Sequence, residues 1–334
     1  MSGRIRERYL DVVKATGAVA IVALHTLSNT INAGGGELSD AHYAIVHVLH
    51  QFFYLAVPLF VLATGAGFLS GGRENSYRSM GRHIVKTVSC IALFGMLFSF
   101  VNILADEGQV RLRDMFLAVL TDHTWSHMWY LYRLLGAYLC MPLLSAFMNH
   151  TAVKEQVVFA GTILFFSSLY PYAAGLTGFI PAEVMPISGI WIFYLVMGGI
   201  LGKEPEKLQG YRRLFDAGAL LGMAAMLWES LGGGGFDESH PFVLLSACCL
   251  FAGIRMRRAG ECSPPWLERL AQTALGVYVL HPVFIHICVR MFHFNPQYHL
   301  PILTAPLMVF AVYACSVIVV GLLRKIPLVR KYIL

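Results

Sequence analysis

The chain has 334 residues, of which 57% are hydrophobic and only 13% are charged. Soluble domains carry about 25% charged residues, so a soluble fold of this length could not cover its surface with so few charges. The formal net charge of +6 comes from short basic clusters between apolar runs, which is typical of the cytoplasmic face of a membrane protein. The composition therefore excludes an ordinary soluble domain, gives no sign of a nucleic-acid partner, and predicts a protein surrounded by membrane lipids.

Ten apolar runs recur along the chain, most of them close to the length of about 20 residues that crosses a bilayer as a helix. Because the runs are continuous and do not alternate with a period of two, they predict helices and not a β-barrel. We expect one membrane domain over residues 1–334, an all-α polytopic bundle whose first run is retained as a helix. The runs cover residues 12–30, 43–69, 84–104, 128–148, 157–176, 187–202, 214–231, 240–256, 272–293 and 300–323.

Basic residues fall almost entirely on one side of this predicted bundle. With a cytoplasmic N-terminus, 21 of the 25 basic residues lie in cytoplasmic loops or ends, and only Arg111 and Arg113 lie outside. Most of the acidic residues between spans, such as Asp237 and Glu238, then fall outside as well. The positive-inside rule therefore predicts that both termini are cytoplasmic.

The first span contains ionisable side chains, which cost about 3 kcal/mol each at the centre of a membrane and are functional candidates by default. Asp11 and Lys14 stand at its inner end, and His25 stands eleven residues after Lys14, roughly 16 Å along a helix. Eleven residues are close to three turns, so Lys14 and His25 share one helix face. This alignment favours a functional pair, although a hydrogen bond to a neighbouring helix would explain His25 alone.

The second span carries His47 and His50, three residues apart on one face. Metal ligation would need a further ligand at a suitable spacing, and none is evident, so we predict interfacial histidines and no metal site. In the same span, Pro58 predicts a kink, and Gly65 and Gly67 predict close helix packing.

A basic stripe precedes the third span and runs into it. Arg78, Arg82 and Lys86 recur every four residues after Arg73, so they share a face if the segment is helical. Ordinary cytoplasmic flanking explains any one of them. The whole stripe would suit a polyanion such as the phosphates of a nucleotide cofactor.

Two further polar groups lie at the start of the fourth span and within the ninth. An aromatic belt at the membrane interface explains the tryptophan and tyrosines of the fourth span but not its arginine. A His-Pro pair in the middle of the ninth span is costly unless it lines a polar cavity. The residues are His127, Trp129, Tyr130, Tyr132, Arg133 and Tyr138 in the fourth span, and Tyr278, His281, Pro282, His286 and Arg290 in the ninth.

At these residues the chain resembles the acyltransferase-3 family of membrane acyltransferases, whose members O-acylate cell-surface glycans. YLDVVKATGAVAIVALH is similar to the family's first-helix signature, VPLFVLATGAGFL to its second helix and HMWYLYRLLGAYLCMPLLS to its fourth. LGVYVLHPVF resembles its late histidine-containing helix, and IPLVRKYIL its closing segment. The chain also resembles the short surface-polysaccharide O-acetyltransferases and the membrane domain of vancomycin-resistance serine racemases. Two features depart from the family pattern: Lys14 stands where the family often has arginine, and Arg78 and Arg82 are spaced more widely than its tight arginine pair.

The resemblance implies a mechanism for a multi-pass protein of the bacterial plasma membrane. Acyl-CoA, expected to be acetyl-CoA, would dock from the cytoplasm, and no metal is expected. His25 would act as general base or as transient acyl carrier, with Asp11 and Lys14 supporting the donor end. The implied phosphate-binding residues are Arg73, Arg78, Arg82 and Lys86. The implied contacts to an extracytoplasmic glycan hydroxyl are His127, Trp129, Tyr130, Arg133, Tyr278 and His281.

Two alternatives stay open at this point. A transporter or flippase of lipid-linked sugars or small amphiphiles would also place histidines and arginines inside a polytopic bundle. It would not need a cytoplasmic basic stripe aligned with a mid-membrane histidine. A non-catalytic scaffold or sensor is the other alternative, and it would not need so many polar groups inside its spans.

Overall fold

The computed structural model describes residues 7–33, 40–72, 74–106, 111–121, 124–178, 189–203, 208–258, 260–294, 296 and 300–334. These residues fold into a helical bundle, and the expected all-α polytopic architecture is confirmed. The helices are α1 (Arg8–Ala33), α2 (Asp40–Phe53), α3 (Ala56–Leu69), α4 (Tyr77–Asp106), α5 (Leu112–Leu120), α6 (Trp129–His150), α7 (Val153–Leu164), α8 (Tyr170–Leu176), α9 (Ile190–Gly202), α10 (Arg212–Leu231), α11 (Pro241–Arg257), α12 (Pro265–His286), α13 (Pro301–Leu323) and α14 (Pro327–Tyr332).

Eight helical segments of the described chain are long and apolar enough to cross a membrane. They match eight of the ten predicted runs. The other two runs form the shorter helices α9, of 13 residues, and α11, of 17 residues. The eight segments are Arg8–Ile31, His42–Leu69, Tyr77–Ile103, Ser126–His150, Val153–Leu176, Gln209–Leu231, Pro265–Met291 and Pro301–Leu323.

The second predicted span is interrupted between α2 and α3. Helix α2 ends at Phe53, and a turn at Tyr54 and Leu55 leads into α3. Pro58 lies in the first turn of α3, and its nitrogen has no hydrogen to donate to the carbonyl of Tyr54. The predicted kink is therefore a break in the helix just before the proline.

Helices α3 and α9 pack with their backbones in contact. A Cβ added to Gly65 would lie 2.1 Å from the carbonyl oxygen of Leu195, and one added to Gly198 would lie 2.2 Å from that of Leu62. Small residues allow this approach between membrane helices. The packing prediction is confirmed for Gly65, whereas a Cβ added to Gly67 would meet no described atom within 4 Å.

Helix α1 packs against α2, α3, α12 and α13. Its inner end is anchored to the segment that leads into α12. The Ser263 hydroxyl donates a 2.5 Å hydrogen bond to Asp11 Oδ2, and Arg8 pairs with Glu261 at 2.7 Å. These contacts fix the height of α1 relative to α12, and both helices contribute to the site described next.

Candidate functional site

Three histidines from separate parts of the chain meet inside the bundle. The ring centroids of His25, on α1, and His281, on α12, are 5.0 Å apart. His127, just before α6, lies 6.3 Å from His25 and 5.7 Å from His281. We call these three residues the histidine cluster. Within the described residues, no group of three or more histidine, cysteine or acidic side chains is arranged to hold a metal ion.

Backbone carbonyls determine the protonated nitrogen on two of these rings. His281 Nδ1 lies 3.0 Å from the carbonyl oxygen of Val277, and His127 Nε2 lies 3.2 Å from that of Val279. A carbonyl only accepts, so each of these nitrogens carries the hydrogen of its neutral ring. His281 Nε2 therefore bears a lone pair, and it is buried without a hydrogen-bond partner in the described structure. The cluster thus contains an unused hydrogen-bond acceptor.

A pair of tyrosines adjoins the cluster on the side predicted to face the cytoplasm. The rings of Tyr130 and Tyr278 are 5.0 Å apart, and the Tyr278 ring lies 5.7 Å from that of His127. The Tyr278 hydroxyl donates to the backbone carbonyl of His127. Trp129 is half-buried and packs edge-on against Tyr130 and Trp191. The structure therefore brings together five of the six residues predicted to bind the acceptor.

A cavity of about 190 Å³, which we call the inner cavity, joins this tyrosine pair to Lys14. Lys14 lies eleven residues before His25 on α1, which is roughly 16 Å along the helix toward the predicted cytoplasmic side. The cavity therefore places a cation at one end and the neighbours of the histidine cluster at the other. Its lining residues are Lys14, Phe60, Thr64, Tyr130, Leu134, Tyr138, Ala271, Gln272, Ala274, Leu275 and Tyr278.

Part of the predicted basic stripe lies beside this cavity. The ring of His83, on α4, packs 5.3 Å from Tyr138, which lines the cavity. His83 is within electrostatic range of Lys14, Arg82 and Lys86. These three cations therefore share the neighbourhood of the cavity's cytoplasmic end.

Arg324, which was not predicted, joins the same neighbourhood. It donates to the backbone carbonyl of Gln272 at 2.9 Å and to the Gln272 side-chain oxygen at 3.1 Å. Gln272 lines the inner cavity, and Arg324 also lies within electrostatic range of Lys86. In the sequence Arg324 looks like an ordinary flanking residue after the last span. Only the packing of α13 against α12 brings it to the cavity.

Other predicted site residues are not brought to the cluster. Arg133 is exposed, on the same face of α6 as Cys140, because the opposite face of that helix packs into the bundle. Asp11 is buried but bonds to Ser263, which gives it an anchoring position. Arg78 is exposed near the start of α4, and Arg73 lies outside the described residues.

A second cavity, of about 320 Å³, lies on the side predicted to face away from the cytoplasm, and we call it the outer cavity. The ring of His240 lies at its wall, with ring centroids 4.5 Å from Phe236 and 4.9 Å from Tyr172. Sequence reasoning missed this cavity because its walls come from three segments far apart in the chain. They are Gln51, Tyr54, Ser168, Pro171, Tyr172, Gly235, Phe236, Asp237, Ser239, His240 and Pro241.

Comparison with known proteins gives one match. The model of the acyltransferase-3 family, described as an acyltransferase domain, matches residues 7–323. No curated protein and no solved structure matches the chain significantly. The matched range contains the histidine cluster and both cavities.

Proposed function

The chain belongs to the acyltransferase-3 family and is a membrane acyltransferase, and on this premise we propose that it transfers an acetyl group from cytoplasmic acetyl-CoA to a hydroxyl of an extracytoplasmic glycan. The observation that carries the proposal is the histidine cluster, with the inner cavity on its predicted cytoplasmic side and the outer cavity on the opposite side of the bundle. The membrane we propose is the bacterial plasma membrane.

The inner cavity supports acetyl-CoA as the donor. Coenzyme A combines a phosphate-rich nucleotide with a slender arm that ends in the thioester. Lys14, Arg82, Lys86 and Arg324 gather near one end of the cavity, and cations of this kind bind phosphates through charge-assisted hydrogen bonds. The arm would follow the cavity toward Tyr130, where the thioester approaches the cluster.

His25 is the group we propose for the proton transfers. As general base, its neutral imidazole takes the proton of the acceptor hydroxyl while that oxygen attacks the thioester carbonyl. The carbon–sulfur bond then breaks, and the imidazolium returns the proton to the departing thiolate. In a two-step route the imidazole attacks the thioester carbonyl first and displaces the CoA thiolate. The acetyl group then passes to the hydroxyl oxygen, the freed imidazole takes up the hydroxyl proton, and this proton goes on to the thiolate. The lone pair of His281 Nε2 is available to accept an N–H from His25 and so orient its ring.

Reconstitution in liposomes tests the proposal. With acetyl-CoA labelled in the acetyl group outside inverted vesicles and a glycan acceptor inside, we expect release of free CoA and transfer of the label to the glycan. Protein-free vesicles measure the background hydrolysis of the thioester. Movement of the acceptor across the membrane without CoA release would instead identify a transporter or flippase and would overturn the proposal.

A further inference from the structure

Two buried polar atoms of the outer cavity have no hydrogen-bond partner among the described residues. They are Gln51 Oε1 and Ser168 Oγ, and their residues are only 4% and 3% exposed. Unsatisfied buried polar atoms are rare in native structures because they lose their hydration without gaining a partner. Both residues line the cavity, so a ligand that carries hydroxyl groups can supply the missing partners.

The remaining lining suits a ring that is apolar on its faces and polar at its edge. Tyr54, Tyr172, Phe236 and His240 supply flat aromatic surfaces, and Tyr54 also supplies a hydroxyl group. Small-molecule sites combine apolar and aromatic walls with a few placed polar groups, in volumes of about 300–1,000 Å³. A sugar ring presents the same combination, with C–H faces and hydroxyl edges.

The charge of the outer cavity is negative. Asp237 lines it, and Oε2 of Glu229 lies 3.3 Å from Nε2 of His240. His240 Nδ1 accepts the backbone N–H of Phe242, so the neutral ring keeps its hydrogen on Nε2, where it faces Glu229. Burial lowers the pKa of His240 more than Glu229 raises it, so this ring does not cancel the carboxylates near pH 7. The described lining contains no lysine or arginine.

A short chain of contacts joins the outer cavity to the histidine cluster. Tyr54 lines the outer cavity, and its ring centroid lies 5.3 Å from that of His50, whose Nε2 lies 2.6 Å from the hydroxyl of Ser28. Ser28 lies three residues after His25 on α1, a spacing that makes them neighbours on the helix surface. His50 is also within electrostatic range of His25. A sugar in the outer cavity therefore lies next to the residues that adjoin the proposed base.

We infer that the outer cavity binds the acceptor as a neutral or amino-bearing sugar ring and rejects sugars that carry a carboxylate. Its role as the acceptor site rests on the proposed function, whereas the binding of sugar and its charge preference do not. Gln51 and Ser168 bind hydroxyl groups, the aromatic rings cover the faces of the sugar, and Asp237 repels anions.

The test is direct binding to the purified full chain in nanodiscs, without any acyl-CoA. Glucose, glucosamine and glucuronate form a matched panel that differs chiefly in charge, and equilibrium dialysis of the labelled sugars measures each affinity. We expect glucosamine and glucose to bind at least about tenfold more tightly than glucuronate, a factor that corresponds to one modest interaction. Binding of glucuronate as tight as that of glucosamine, or no binding of glucose and glucosamine, overturns the inference.

Substitutions of Ser168 and Gln51 distinguish sugar binding from a structural role, because the two roles predict different changes in unfolding temperature and in sugar affinity. Ser168→Ala removes an unsatisfied hydroxyl, so the empty protein should unfold at the same or a higher temperature while its affinity for glucose falls about tenfold. Gln51→Met should weaken glucose binding likewise, and Asp237→Asn should strengthen glucuronate binding. Ser167→Ala is the matched control, because the Ser167 hydroxyl already accepts the N–H of Gly189 and the residue does not line the cavity.

The outcomes separate this inference from the proposed function. Ser168→Ala protein that unfolds at a lower temperature and binds glucose normally shows a structural hydroxyl and overturns the inference. Sugar binding with the expected charge order, in a protein that never releases CoA from acetyl-CoA, supports the sugar site and contradicts the acetyl transfer. CoA release from acetyl-CoA without the expected sugar binding supports the acetyl transfer and contradicts the sugar site.

Discussion

The inner and outer cavities approach the same histidine cluster but differ in charge. Lys14, Arg82 and Lys86 gather near the inner one, whereas Asp237 and Glu229 lie at the outer one. An anionic nucleotide is attracted to the first and repelled by the second. In the proposed function, this difference in charge favours the anionic donor at the inner cavity and disfavours it at the outer one.

Helices α3 and α9 link the two regions. Thr64 of α3 lines the inner cavity. The Tyr194 hydroxyl of α9 donates to the backbone carbonyl of Glu238 at 2.7 Å, in the loop that also carries Asp237. The contact between the two helices thus fixes one wall of each cavity. The shared histidines, the linked walls and the opposite charges can each be tested by substitution.

Loss of the shared histidine should have the largest effect. His25→Gln removes the proposed base, and general acid–base groups contribute about 100- to 10,000-fold to a rate. We expect CoA release to slow by that factor while the affinities for acetyl-CoA and for sugar remain, because neither cavity is altered. The rate is measured by thiol release in proteoliposomes. His150→Gln is the control, since His150 is exposed and pairs with Glu74, and full acetyl transfer by the His25 variant would refute the proposed role.

The histidine cluster also shows how far sequence reasoning reaches. His25, His127 and His281 are visible in the sequence because each is an ionisable residue within or beside an apolar run. Their meeting depends on how α1, α6 and α12 pack, and periodicity within one helix does not determine that. Arg133 illustrates the limit, because the contacts of α6 with neighbouring helices determine which of its faces is buried.

Hydropathy predicts the bundle well because the membrane imposes the length and composition of each span. It detects polar residues only where the surrounding run is apolar. Asp237 and His240 lie in a loop, where polar residues are ordinary, and Gln51 and Ser168 have no charge to mark them. The outer cavity therefore appears only once these segments fold together.

The contact between α3 and α9 should show the next largest effect. Gly65→Ala places a Cβ against the backbone oxygen of Leu195, and overpacking of this kind costs about 1–3 kcal/mol. We expect a lower unfolding temperature, together with weaker binding at both cavities because one wall of each is displaced.

Gly67→Ala is the matched control in the same helix. It meets no described atom within 4 Å and should gain up to about 1 kcal/mol from helix propensity. Equal unfolding temperatures for the two variants would show that the α3–α9 contact does not hold the walls.

The charge difference between the cavities predicts a smaller effect that is confined to the donor. Lys14→Met removes a cation that lines the inner cavity, and hydrogen bonds to charged groups contribute about 1.5–3 kcal/mol. The KM for acetyl-CoA should therefore rise about tenfold or more, with kcat and sugar affinity changed little, and Lys14→Arg should restore most of the loss. Arg78→Met is the matched comparison, because Arg78 is exposed and an exposed ion pair contributes only about 0–1 kcal/mol. Its effect on KM should be about twofold and should disappear at high salt.

If both variants raise KM equally, the phosphates bind along the exposed stripe and not at the mouth of the inner cavity. If the Lys14 variant weakens sugar binding instead, the two cavities do not divide donor and acceptor by charge.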